Sequence, residues 1–391
     1  MAAPGNAPIS VVLDPSTGSG PLATHALLAS ILRANDQVSD LIFSPGRMPQ
    51  VEINGQLIGV QGRGLAPFSA DDTRRIASDL IGENKQAIAI LREQGFCDIS
   101  YGLPGVGRFR VNVFIQRGSC AVVMRVIATA IPALASLGLP RQLEEVAHLR
   151  DGIVLVTGPR SSGKSSTLAA LLNSINQAQV CHIITIEDPI EFLHCHQRAT
   201  IHQRELHSDT PSVAVALRAA LRQAPHVILV GEMRDRETME MVLEAAESGH
   251  LVLTCLNTVS VAKTVERMVC AFPGPEQSSI RSRLARTFRY IVSQQLVPRK
   301  DGSGRIAIVE MLKSHPRTQS CIEANDSSGQ NLLQAMRDGR SEGMQDFDGE
   351  LEKLVHAGVV DFDTAMIYAT DPQDLRETLD RSSQSRRVTE S

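Results

Sequence analysis

The sharpest chemistry in this 391-residue sequence lies in Gly158-Pro159-Arg160-Ser161-Ser162-Gly163-Lys164-Ser165, which fits G-x-x-x-x-G-K-[ST]. In such a pattern the N–H groups of a tight loop and the N-terminus of the next helix converge on phosphate oxygens. Lys164 would reach the β- and γ-phosphates of a nucleotide, and the Ser165 hydroxyl would bind Mg²⁺. The flanks suit this chemistry: an apolar strand over 153–157 leads in and a helix leads out from Ser166 to Leu172. A chance match on an ordinary strand–helix turn is the bland alternative, and the flanks weigh against it. Residues 158–166, Ser166 included, are therefore expected to hold ATP with Mg²⁺. Ser161 stands where such loops often carry another glycine.

Carboxylates follow at two strand ends. Ile184-Thr185-Ile186-Glu187-Asp188 places Glu187 and Asp188 there, and Val227-Ile228-Leu229-Val230-Gly231-Glu232 places Glu232, followed at once by Met233-Arg234-Asp235. Ligands of open α/β sheets sit at such ends. A carboxylate there can orient or deprotonate an attacking water, or hold Mg²⁺ through water. The competing reading of each is a helix N-cap or a surface charge. His194-Cys195-His196, with His182, His202 and His207 nearby, could suggest zinc. Adjacent residues on one strand point to opposite faces, a poor start for one tetrahedral site.

These residues need a scaffold. Apolar strands over 153–157, 182–186, 227–230 and 251–256 alternate with helical stretches, the sequence form of a parallel sheet with crossover helices. Thr210 as N-cap with Pro211 at the first helical position predicts a helix with Val213, Leu217 and Leu221 on one face and Arg218 and Arg222 on another. After Ser320 the chain turns helical, with Phe347, Leu351 and Leu354, then Phe362, Met366 and Ala369, as its apolar faces.

Upstream, a short helix over 22–32, a hairpin about Asn54-Gly55, a helical stretch preceded by Asp71-Asp72 and running to about Leu91, and strands over 107–114 and 121–127 predict a small α+β domain. The expected organisation is a flexible lead-in over 1–20, a domain over 21–127, a linker over 128–141, a core over 142–320, helices over 321–380 and a disordered tail over 381–391. No internal repeat is visible.

Hydrophobic residues at 42% and charged residues at 21% exclude disorder for most of the chain. Aromatics at 3% with no Trp argue against stacking on nucleic-acid bases, and a net charge of −4 removes a whole-chain basic field. Seven cysteines never spaced as C-x-x-C read as reduced thiols. No apolar run reaches the ~18 residues of a membrane span, and no signal peptide is evident. A soluble intracellular protein is expected.

Residues 184–193, 204–210, 217–222, 230–235 and 249–267 together resemble the type II/IV secretion ATPase superfamily. Within it they are most similar to the type IV pilus retraction (twitching motility) ATPases. The likeness extends through Ser39-Asp40-Leu41, residues 51–57 and Arg108-Phe109-Arg110-Val111-Asn112, and into the C-terminal helices. The resemblance implies an α/β protein: an N-terminal PAS-like α+β domain, a RecA-like P-loop ATPase domain and a small C-terminal helical appendage. It implies a Mg·ATP-driven homohexameric motor in the cytoplasm. Its partners would be an inner-membrane pilus platform protein and other pilus ATPases, with membrane association through those partners and no direct nucleic-acid contact.

By the same match Glu187 is the Asp-box glutamate, Glu232 the Walker-B glutamate and favoured base, and His250 the first His-box histidine. Arg110, Arg117 and Arg125 fall where the family's N-terminal domain supplies arginines to the nucleotide. An arginine finger compensates charge developing on the γ-phosphoryl and can be worth ~10³–10⁵ in rate; plain surface arginine is the competing reading. The four-Cys insert of assembly ATPases is absent.

Two departures bear on the output. Asn257, in Leu256-Asn257-Thr258, stands where the family has its second His-box histidine, and Asn cannot titrate. Residues 317–325 do not show the Ala-Ile-Arg-type helix of retraction ATPases. Alongside a motor, the sequence therefore admits a nucleotide-gated accessory subunit with slow hydrolysis, and a DNA or protein translocase of the same superfamily. Acidity and scarce aromatics weigh against DNA.

Overall fold

The structure, a computed structural model, describes residues 8–11, 23–53, 56–62, 65–127, 130–324 and 329–389. The chain divides into two compact units, one through residue 129 together with 191–193, the other comprising 130–190 and 194 onward.

In the first unit, strong β-formers alternate with polar residues and so build a one-sided sheet. The elements are β1 (Ile9–Val11), α1 (Thr24–Ala34), β2 (Val38–Phe43), β3 (Gln50–Ile53), β4 (Gln56–Gly62), α2 (Ala70–Ile81), α3 (Lys85–Gln94), β5 (Phe96–Leu103), β6 (Gly107–Gln116) and β7 (Ser119–Ile127). The strand order is β1-β4-β3-β2-β7-β6-β5. Phe109, Val111 and Val113 of β6 and Val122 and Met124 of β7 are buried with Leu27, Leu28 and Ile31 of α1 and Ile76 and Leu80 of α2. The alternation turns Arg110 outward.

Three expectations change here. The single helix expected to run to Leu91 is two, because Gly82 at φ +56 ends α2 and the Asn84 side chain caps α3. The first of them starts at a Ser69–Asp72 capping box, so Asp71 and Asp72 lie in its first turn instead of preceding it. Within the expected lead-in, Ile9–Val11 form a strand parallel to β4, with Val11 buried. Gly62 permits that approach, since a Cβ there would fall 2.8 Å from the Val11 carbonyl oxygen. The hairpin pairing Ile53 with Gln56 is present, while its Asn54-Gly55 turn lies outside the described residues.

The second unit comprises β8 (Gly152–Thr157), α4 (Lys164–Ala178), β9 (His182–Glu187), β10 (Thr200–Glu205), α5 (Val213–Ala220), β11 (Val227–Val230), α6 (Arg236–Glu247), β12 (Leu251–Leu256), α7 (Val261–Cys270), α8 (Gly274–Thr287), β13 (Phe288–Pro298), β14 (Arg305–Lys313), α9 (Pro316–Glu323), α10 (Gln330–Asp338), α11 (Phe347–His356), α12 (Phe362–Tyr368) and α13 (Pro372–Thr389). Its sheet runs β10-β9-β11-β12-β8-β13-β14, parallel except for β14. Helices cover both faces, which is why β8, β11 and β12 are buried along their whole length and read as unbroken apolar runs. Each fully buried Leu, Ile or Val contributes about 1.5–3 kcal/mol relative to exposure.

Residues 130–141, expected as linker, belong to this unit. A short 3-10 helix over Leu134–Leu137 and another over Arg141–His148 contact α4, and Leu134 and Leu139 pack on the cluster holding Leu168, Leu171 and Ile175. The cap of α5 is Ser212 and not Thr210: the extended Ser212 offers its hydroxyl to the Val215 N–H at 3.3 Å, while Thr210 is drawn into a bridge with Leu206. Because α5 ends at Ala220, Arg222 lies past it.

Phe347, Leu351, Val360, Ala365, Leu375 and Leu379 form the C-terminal cluster with Val297 and Ile308. Phe362 is not in that core but exposed, beneath the Arg376 guanidinium at 5.7 Å. Helix α13 continues to Thr389, into the expected disordered tail, with no Gly or Pro after Pro372 to stop it. Among the described residues no helix is long and apolar enough to cross a membrane.

Candidate active site

Strand β8 delivers the chain to the C-terminal edge of the parallel sheet, where Gly158 (φ +145), Ser161 (φ +61) and Gly163 (φ +92) turn it back into α4. Close packing explains both glycines. A Cβ on Gly158 would fall 2.2 Å from the Gln294 carbonyl oxygen, and one on Gly163 would fall 2.8 Å from Gln294 Nε2. The Lys164 ammonium folds back across the loop, donating to the carbonyls of Gly158 at 2.9 Å and Pro159 at 2.8 Å. Pro159, Arg160 and Ser161 are exposed, Ser165 and Ser166 half-buried, and Ser162 is 2% exposed with no hydrogen-bond partner for its hydroxyl. No acidic side chain occupies the first turn of α4, so the positive end of its dipole is left for an anion. An orphaned hydroxyl, a lysine ammonium and a glycine cradle at a helix start fit nucleotide phosphates.

The carboxylates stand at the same edge. Val230 pairs with Thr254 and Thr254 with Leu155, and just past Val230 the Met233 N–H donates to the Cys255 carbonyl, so Glu232 leaves β11 at the edge where β8 runs into the loop. Both Glu232 oxygens are engaged: Oε1 accepts from Asn257 Nδ2, and Oε2 from Arg234 Nε at 2.9 Å. Arg234 also donates through Nη1 to Asp188 Oδ2 at 3.1 Å. Its bond to Glu232, then the nearby Asp188, hold its guanidinium still more firmly in the charged form. Glu187 closes β9, where its Oε1 accepts from Thr185 Oγ1 at 2.7 Å and from Gln203 Nε2 at 3.1 Å.

His250 is a correction. It precedes β12, at the opposite end of a six-residue strand from Asn257, roughly 23 Å away at ~3.3 Å per residue. Its carbonyl accepts from Gly152 N–H, and its Nδ1 lies 3.0 Å from the Ala245 carbonyl, closing α6. It is not brought to the loop. In the first unit, Arg110 and Arg125 are direct cross-strand partners, and Arg125 Nε donates to Asp40 Oδ1 at 2.9 Å. Arg117 sits apart from them, at φ +47 in the β6–β7 turn.

The histidines group at the other edge of the second unit. His182 Nε2 and His202 Nδ1 are 2.9 Å apart, and the His182 N–H donates to His226 Nδ1 at 3.1 Å. Burial pushes His194 down to about 4. Among the described residues no three His, Cys, Asp or Glu side chains converge as metal ligands would.

The partnership of Asn257 and Arg234 with Glu232, and the place of Gln294 behind the loop, were not legible from local pattern. Gln294 in particular carries no motif; only the parallel register Ser293 with Thr157 brings it to the loop.

A parallel sheet whose strand β8 opens through a glycine loop into a helix, with a carboxylate at the same sheet edge at the end of the next strand but one, defines a P-loop ATPase. Residues 106–366 match the family "Type II/IV secretion system protein", and the chain belongs to it. It is 40% identical over 312 residues to the "Twitching motility protein" of Neisseria gonorrhoeae, covering 80% of this chain and 82% of that one. It is 38% identical over 341 residues to the "Type IV pilus retractation ATPase PilT" of Pseudomonas aeruginosa, covering 87% of this chain and 97% of the relative. The fold superposes with a TM-score of 0.81 on a crystal structure of the pilus retraction motor PilT with bound ADP, at 39% identity, covering 90% and 99% of the two chains. The resemblance and the α/β class read from the sequence are thereby borne out.

Proposed function

We propose that this protein is a Mg·ATP-dependent hexameric motor that couples ATP hydrolysis to type IV pilus retraction, acting in the cytoplasm on an inner-membrane platform protein. The observation that carries this reading is the Glu232 carboxylate, at the same sheet edge as the phosphate loop and held by two side chains. The loop N–H groups and the α4 N-terminus bind the phosphates, and Lys164 exchanges the carbonyls of Gly158 and Pro159 for phosphate oxygens. The Ser165 hydroxyl would hold Mg²⁺, which would supply neutralisation of the charge on the phosphates. Glu232 takes the proton of the attacking water, while Glu187, fixed by Thr185 and Gln203, helps to orient that water. Arg110, Arg117 and Arg125 of the first unit would supply arginine to the nucleotide in the ring, Arg110 and Arg125 being cross-strand partners on β6 and β7.

The test is steady-state hydrolysis on protein whose oligomeric state is fixed by light scattering. Glu232→Gln should keep ATP binding and lose turnover, and unchanged hydrolysis would sink that assignment. Lys164→Ala should lose nucleotide binding, and retained binding would refute the loop reading.

One contact favours a second reading, an accessory ring subunit with weak hydrolysis. Asn257 donates to Glu232 Oε1, where a histidine could also exchange a proton. Asn257→His should then raise turnover; a variant no faster than wild type denies Asn257 a limiting role.

A further inference from the structure

Strand β13 runs parallel to β8 with Ser293 opposite Thr157, so the next residue, Gln294, is carried to the back of the phosphate loop. Three independent contacts converge on that one residue. Its carbonyl oxygen lies against Gly158, close enough that a Cβ there would be 2.2 Å away. Its side-chain Nε2 lies against Gly163, 2.8 Å from where a Cβ would stand. Its Oε1 accepts a 2.7 Å hydrogen bond from Thr167 in the first turn of α4, and the residue is 3% exposed. Gln294 therefore touches the first and last glycines of the loop and the helix that the loop opens into.

The geometry points to Gln294 as the residue that positions the phosphate loop, setting the direction of its N–H groups before nucleotide arrives. The Thr167 hydroxyl determines which end of the carboxamide faces Gly163: the oxygen is taken, so the N–H₂ end lies under the loop. A donor and not an acceptor thus backs the place where phosphate charge would concentrate. The support continues into the sheet, where Ser293 Oγ and Thr157 Oγ1 are 2.7 Å apart and Thr264 Oγ1 reaches Thr157 at 3.3 Å. Gln294 touches no substrate; its effect passes through Gly158, Gly163 and Thr167. This inference rests on the reading of the loop as a nucleotide site.

The test measures ADP binding to the full-length protein by calorimetry, with wild type as the control for the loop reading itself: no ADP binding by wild type overturns that reading, whatever the variants do. Gln294→Met keeps length and loses both polar ends, and its Kd should rise about tenfold, with kcat at saturating ATP changed much less than KM. Gln294→Glu still accepts from Thr167 but places a carboxylate beneath the phosphates. Its Kd relative to wild type should be raised further at pH 8 and fall back toward the Gln294→Met ratio at pH 5.5, because burial favours the neutral acid. Packing alone predicts no such pH dependence, since an ionised or neutral carboxyl fills the same space. If Gln294→Met does not fold, Thr167→Val removes the bond that orients the carboxamide and should raise Kd severalfold. With wild type binding ADP, a folded Gln294→Met or Thr167→Val within twofold of wild type, or a pH-independent Gln294→Glu ratio, overturns the inference.

Discussion

Ser161 occupies the phosphate loop at φ +61, in the left-handed region, with its side chain exposed. An L-residue pays roughly 1–2 kcal/mol there through the clash of Cβ with the following carbonyl. Glycine escapes that clash but loses more freedom on folding, about 0.5–1 kcal/mol. The difference leaves Ser161→Gly about 0.5–1 kcal/mol more stable. In a unit of this size that corresponds to a rise in Tm of about 1–4 °C. Ser161→Ala retains the Cβ and its clash, so it should stay near wild type, and Ser161→Val should fall below it because a branched side chain tolerates positive φ least. Thermal unfolding of the four proteins by circular dichroism, without nucleotide, reads the series directly. The expected order is Gly above Ser, Ser equal to Ala, and Ala above Val. A Gly variant that melts below wild type, or an Ala variant that gains as much as Gly, would refute the account, since neither outcome can come from relief at φ +61.

Two further outcomes concern the second unit. Burial, chiefly, pushes the Glu310 carboxyl up from 4.5 to about 7, even though it accepts the Val261 N–H that opens α7. The folded state therefore holds a proton that the unfolded chain releases, and stability falls as pH rises from about 4.5 through 7, by up to about 3 kcal/mol. Glu310→Gln keeps an acceptor and cannot ionise, so its Tm should exceed wild type at pH 8 and approach it at pH 5; a gain equal at both would rule the titration out. At Asp346 burial alone would raise the carboxyl, but the Arg340 and Arg337 guanidiniums outweigh it and hold it below the ordinary carboxylate range. Asp346→Ala leaves two part-exposed arginines without their shared acceptor and should cost about 1–3 kcal/mol in urea unfolding; a change under 0.5 would remove the network from the list of what holds α10 to α11.

What the sequence made legible follows the range of the interactions involved. The glycine loop, its lead-in strand and its lead-out helix are contiguous, so the pattern of eight residues already contained the geometry. Strands β8, β9, β11 and β12 were legible because burial on both faces along most of their length makes them mainly apolar runs. Strand β5 was not: Phe-Cys-Asp-Ile-Ser-Tyr-Gly-Leu is made a strand by eight cross-strand partners on β6, which no local window holds. The same limit hid the break at Gly82, where a helical apolar period continues across a glycine that the backbone uses to turn.

The two His-box positions show where a family pattern and a fold part company. In sequence His250 and Asn257 are neighbours bracketing one apolar run, and a motif treats them as one unit. In the fold that run is an extended strand, and extension converts seven residues into the full depth of the sheet. Asn257 emerges beside Glu232 and His250 emerges beside the end of α6. His250 is held by the Ala245 carbonyl, while Asn257 touches the Glu232 carboxylate itself. Physical adjacency thus makes Asn257, a departure from the family pattern, the more consequential of the two for the chemistry of this loop.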